Sequence, residues 1–140
     1  MKMANKSIII VALFSFSTLL QAQQNCEKTL VKSFDIQGKT TVFLDFESQS
    51  VKVVEWDSNT ARVEMTIAFE GNENTLKSLI TVGRYNMVST SNADVFTIGQ
   101  PGLQRSVKVK GTEVKENISY HVSVPKGTKV KVKDSAVGAL

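Results

Sequence analysis

The chain has 140 residues, 41% of them hydrophobic, and its 17 basic against 13 acidic side chains give a formal net charge of +4. One histidine and one cysteine exclude an internal disulfide and leave too few ligands for a zinc or iron centre. Acid-rich calcium loops and phosphate-cradling glycine patterns are also missing from the sequence, so no metal and no cofactor is expected.

The first residues, MKMANKSIIIVALFSFSTLLQAQQ, place Lys2 and Lys6 before an uncharged, mostly apolar run from Ser7 to Leu20. Leu20-Gln21-Ala22 follows, with a small residue where a signal peptidase cuts. This layout predicts a secretory signal peptide over 1–22. A spanning helix needs about 20 apolar residues, so the run reads as a leader and not an anchor. No second apolar run follows, and no transmembrane segment is expected after processing. The remaining 140 − 22 = 118 residues suffice for one domain that buries roughly two-thirds of its unfolded surface. Residues 23–27 read as a flexible N-terminus. Cys26 there is preceded by Gln23, Gln24 and Asn25, which argues against lipidation.

From residue 28 onward, period-two alternation dominates. KTLVKSFDI (28–36) and TTVFLDF (40–46) flank a Gln37-Gly38-Lys39 turn, and SVKVVEW (50–56) and ARVEMTIAFE (61–70) flank Asp57-Ser58-Asn59-Thr60. In the fourth segment Ala61, Val63, Met65, Ile67 and Phe69 share one face, the mark of a half-buried strand. Four such segments with short turns predict an antiparallel meander. The period then changes. Leu76, Leu79, Ile80 and Gly83 recur at helical spacing, predicting one short helix over roughly 73–83, capped by Asn72 or Asn74 and ended by Gly83. Its apolar stripe is expected to cover the sheet.

Strands are predicted again over 85–90 and 93–98. After a Gln100-Pro101-Gly102 break comes SVKVKG (106–111), then the long alternation through Ile118, Tyr120, Val122 and Val124, and last Val130 and Val132. Nothing splits the chain, so 28–134 is expected to be a single β-rich domain, with 135–140 a frayed tail. The fold class expected is mainly β: an antiparallel meander with one short helix, β-sandwich-like or a short β-solenoid.

Charge is unevenly placed. Residues 23–99 carry seven basic and ten acidic side chains, net −3, while 100–140 carry eight and three, net +5. Lys108, Lys110, Lys129, Lys131 and Lys133 alternate with valines and form the candidate binding stripe. Interleaved aromatics of the kind that stack bases are missing, so no nucleic-acid partner is expected. An anionic envelope glycan, lipid headgroup or protein suits the charge. A lysine-bearing last strand also resists edge-to-edge pairing, and that protective role ranks first. Ser119, His121 and Ser123 share a strand face, but same-face neighbours lie about 7 Å apart. No acid adjacent in sequence orients the imidazole, so no catalytic set is read there. Asp134-Ser135-Ala136 fits a three-residue O-glycosylation pattern.

Three stretches, VKVVEWDSNTARVEM (51–65), LKSLITVGRYN (76–86) and KVKGTEVKENISYHVSVPKGTKVKVKD (108–134), together give a resemblance. The chain resembles secreted adhesin-like families of Bacteroidetes with toastrack or GIN-type β-solenoid domains. The likeness rests on the Trp56-Asp57 corner and the Val124-Pro125-Lys126-Gly127 corner, and it spans about 28–134. It implies a β fold and no catalytic residues. The function expected is a non-enzymatic, exported envelope module in the periplasm or on the cell surface, with adhesin-like binding through strand edges or faces. The alternatives are an accessory domain that senses envelope stress by binding a membrane partner, and a small envelope-polymer hydrolase.

Overall fold

A computed structural model describes residues 25–47 and 50–133. The segment expected to be a signal peptide (1–22), the tail expected over 135–140 and the Asp134-Ser135-Ala136 pattern lie outside the described residues. The fold is mainly β with one α-helix. Its strands are β1 (Asn25–Asp35), β2 (Thr41–Asp45), β3 (Val51–Trp56), β4 (Thr60–Glu70), β5 (Val88–Asn92), β6 (Val95–Gly99), β7 (Lys108–Val109), β8 (Thr112–Glu113), β9 (Lys115–Pro125) and β10 (Lys129–Val132). The helix α1 (Glu73–Thr81) lies between β4 and β5, and a 3-10 turn (Pro101–Gln104) follows β6.

Two four-stranded sheets make the body. Sheet I has the order β1-β4-β9-β3, and sheet II has β10-β2-β6-β5. The antiparallel meander expected from the first four strands is corrected here. β1 pairs with β4 and not β2, while β2 lies in the other sheet, parallel to both β6 and β10. β3 is parallel to β9. The reason is local: at Gln37 (φ 55°) and Gly38 (φ 68°) the backbone turns left-handed, and the chain leaves sheet I for sheet II. Alternation of apolar residues is the same for a strand that pairs with its predecessor and for one that crosses over.

The core fills the space between the sheets. Ala61, Val63, Met65, Ile67 and Phe69 of β4 are buried, as are Ile118, Tyr120, Val122 and Val124 of β9. They meet Val42 and Leu44 of β2 and Phe96 and Ile98 of β6. Aromatic pairs bridge the layers: Phe46 stacks on Tyr120 with centroids 4.0 Å apart, and Phe34 meets Phe96 edge-on at 6.1 Å. Each ring adds a modest increment beyond its buried area.

The helix obeys its signals. Asn72 Oδ1 accepts from Thr75 N at 2.7 Å, satisfying one of the orphan donors of the first turn. Leu76 and Leu79 are buried, and Gly83 at φ 85° terminates the element as left-handed glycines do. β1 covers Asn25–Asp35, so residues 25–27 of the segment expected as a flexible N-terminus are strand: Cys26 sits opposite Phe69, half-buried against the core.

Candidate functional site

β10 is an edge of sheet II, as expected of the last strand. Its lysines are unequal. The Lys129 amide donates to Thr40 O and the Lys133 amide to Leu44 O, each at 2.9 Å, so the strand is fixed to β2 by its backbone. Lys129 and Lys131 are exposed and form no ion pair among the described residues. Lys133 Nζ instead lies 2.8 Å from Glu47 and 3.4 Å from Asp45. Its hydrogen bonds to Glu47 and then Asp45 hold its pKa above the ordinary lysine value. The free charge of this strand is therefore two lysines, not three.

Lys108 and Lys110 do not join them. They belong to the separate β7–β8 hairpin, and Lys110 at φ 51° occupies its turn with Gly111 at φ 79°. The expected alternation through Lys110 is thus corrected: the strand stops at Val109, and Lys110-Gly111 is a two-residue turn of the type that tight hairpins prefer. The five-lysine stripe is two separate groups.

The outer face of sheet I holds the lone histidine. Register places His121 beside Glu64 of β4 and Lys52 of β3. His121 Nδ1 is 3.8 Å from Glu64 Oε2, and Arg62 reaches the other oxygen of that carboxylate at 3.1 Å. These side chains are about 40% exposed. The acid that sequence adjacency did not supply comes from the neighbouring strand. A carboxylate shared with Arg62, at a distance beyond hydrogen bonding, makes a solvated charge cluster.

The corners that carry the family resemblance do meet. Trp56 pairs with Pro125 across β3 and β9, and Lys126 Nζ lies 2.8 Å from Asp57. Trp56 Nε1 donates to Thr60 O at 2.8 Å, which fixes the corner's indole.

One polar cluster is buried, and nothing in the sequence singled it out. Arg84 donates to Glu116 at 2.5 Å, with side-chain exposures of 8% and 11%, and to the carbonyls of Gly102 and Arg105 at 3.3 and 2.7 Å. The Tyr85 hydroxyl donates to the same carboxylate. Burial alone would lower the Arg84 pKa; the hydrogen bond and charge of Glu116 outweigh it and raise the value. Burial first, then Glu116, pushes the Tyr85 hydroxyl well above the ordinary tyrosine range. Burial does the same to Tyr120, whose hydroxyl donates to Gln100 Oε1. Gly102 is required here, because a Cβ would sit 2.3 Å from Arg84 O. Each guanidinium nitrogen of Arg84 has a partner, so the cluster is a clamp that joins the helix exit, the 3-10 turn and β9.

At the far edge of sheet II, β5 has all five residues exposed. Two lysines from other elements cap carbonyls at its ends: Lys32 Nζ donates to Met87 O at 2.8 Å, and Lys39 Nζ to Ala93 O at 2.6 Å.

Among the described residues no group of three His, Cys, Asp or Glu converges, and no helix is long and apolar enough to cross a membrane. No protein-family model matches the chain, and no curated protein does. One solved structure overlaps it: the "crystal structure of a putative cell adhesion protein" from Clostridium sporogenes, with 12% identity and a TM-score of 0.37. The overlap covers 76% of this chain and 46% of that one, so the chain spans about half the length of the structure it matches.

Proposed function

We propose that the protein is a non-enzymatic, exported module of the cell envelope that binds through its strand edges. Export rests on the leader-like residues 1–22, and places the module in the periplasm or at the cell surface. The observation that carries the binding role is the β10 edge, where Lys129 and Lys131 stand exposed without acidic partners among the described residues, while Lys133 is held by Glu47 and Asp45. Backbone groups on an open edge invite another strand, and lysine discourages it through charge and hydration. The same two ammonium groups suit anionic glycan or lipid headgroups as a second role.

Paired variants at Lys129 and Lys131 separate the two roles. Threonine at both positions should cause self-association, visible by sedimentation velocity, if the lysines guard the edge. Glutamate at both should keep the protein monomeric yet abolish binding to phosphatidylglycerol vesicles. Native binding to those vesicles should weaken steeply with salt. A threonine variant that stays monomeric sinks the guarding role, and salt-insensitive or missing vesicle binding sinks the ligand role.

A further inference from the structure

Sheet II has two unlike edges. β10 bears lysines, whereas β5 reads Val-Ser-Thr-Ser-Asn, with all five residues exposed and neither charge nor proline. Edges without those guards accept an added strand. Two observations identify the side of β5 that is open. The two-residue turn Ala93-Asp94 is flanked by the pair Asn92↔Val95, and such turns close on a hydrogen-bonded pair. Asn92, Thr90 and Val88 therefore direct their backbone groups to β6, and Ser89 and Ser91 direct theirs outward. The Met87 carbonyl, in step with Ser89 and Ser91, is the one that Lys32 reaches.

The outward backbone groups of Ser89–Ser91 thus lie between two ammonium groups, while the Ser91 hydroxyl donates to Gln37 Oε1 at 3.5 Å. Lys32 and Lys39 sit on carbonyls six residues apart, at Met87 and Ala93, which is about 20 Å along a strand. Neither lysine forms an ion pair among the described residues. Lys32 otherwise rests over the Phe34 ring at 5.1 Å. From β1 it approaches on the inner side of sheet II, where the Ser89 and Ser91 side chains lie beside Ile98 and Phe96.

We infer that the β5 edge docks an extended segment of a partner protein that carries carboxylates at both ends of its paired stretch. The partner strand hydrogen-bonds Ser89 and Ser91, and its two acids, six residues apart on the inner side, meet Lys32 and Lys39. A second copy of this chain fits worse. Antiparallel self-pairing about Thr90 sets Met87 opposite Ala93 of the other copy, so Lys32 of one would face Lys39 of the next, a like-charge apposition. This inference rests on the reading of the protein as an edge-binding module, but concerns the opposite edge.

The probe is the blocked heptapeptide EVTVTVE, with KVTVTVK as its counterpart, titrated into isotopically labelled protein recovered from the envelope of an expressing host. The acidic peptide should shift the Ser89 and Ser91 amides saturably, and the basic one should bind at least tenfold more weakly. Binding should weaken as salt rises. S91P removes an outward N–H without touching the β5–β6 ladder and should abolish docking. The double variant K32Q/K39Q keeps the strand intact and should reduce affinity at least tenfold, which preserves the test if the proline variant misfolds. Equal affinity for the two peptides, shifts confined to other strands, or retained docking in K32Q/K39Q would overturn the inference. Concentration-dependent shifts of the same amides without peptide would assign the edge to a second copy and overturn it too. The monomeric glutamate variant at Lys129 and Lys131, on the opposite edge of sheet II, should leave peptide docking unchanged. Vesicle binding lost while docking persists sinks only the β10 reading; docking lost while vesicle binding persists sinks only this one.

Discussion

β4 and β5 stand on either side of the helix and have the same extended backbone, yet they do opposite work. Every inward residue of β4, from Ala61 to Phe69, is buried, because β4 runs between β1 and β9. Every residue of β5 is exposed, because β5 has a single neighbour and its side chains fall at the rim of the core. The first strand stores stability; the second offers a surface. Position in the sheet order, not strand propensity, decides which.

The contrast can be broken at its strongest point by the charge buried beside the two ends of that region. Glu116→Ala leaves Arg84 buried without its carboxylate and should cost about 3–5 kcal/mol, measured by urea unfolding. A loss below about 1 kcal/mol would mean that water reaches the clamp. On β4 itself, Ile67→Ala removes a fully buried side chain and should cost about 2–5 kcal/mol. Leu79→Ala on the helix falls in the same range, and a loss under about 0.5 kcal/mol there would place that helical face in solvent. Removing the cap with Asn72→Ala should cost about 1 kcal/mol. On β5, Thr90→Ala should change stability by less than about 0.5 kcal/mol. A larger loss would show that β5 belongs to the core after all.

Alkaline titration sharpens the same comparison. Tyr85 and Tyr120 have pKa values raised in the folded state. The folded protein therefore holds those protons more tightly than the unfolded chain does. Their contribution is fully present below the unfolded value of about 10 and is lost as pH rises above it. Thermal stability should fall above about pH 10, and Tyr120→Phe should flatten that fall. An unchanged slope in the variant would remove Tyr120 from the account.

The buried strands were legible because alternation reports burial directly: Ala61, Val63, Met65, Ile67 and Phe69 could face only a core. The helix was legible from Asn72, the Leu76–Leu79 spacing and Gly83. Connectivity was not, since the period of two carries no record of which sheet a strand enters. The clamp was hidden for a related reason. Arg84 and Glu116 are 32 residues apart, and each reads as a solvent-facing charge until the other is placed beside it. The acid next to His121 became visible only through the β4–β9 register. Of the candidate stripe, the edge position of Lys129 and Lys131 followed from their place in the last strand. Lys110 did not, because its neighbour Gly111 turns the chain there.

The in-register parallel stack of β2 between β6 and β10 has a kinetic consequence. Thr41 pairs with Lys129, 129 − 41 = 88 residues downstream, and Val51 pairs with Tyr120, 120 − 51 = 69 residues downstream. Among the described residues β3 has no neighbour in its sheet except β9. A chain released in sequence order can therefore assemble the β1–β4 hairpin-like pair early, but it must hold β2 and β3 open until the C-terminal third arrives. Closing such long loops costs entropy before contacts repay it, and topologies of this kind fold slowly. Under the export proposed above, that delay is the interval in which the chain remains threadable.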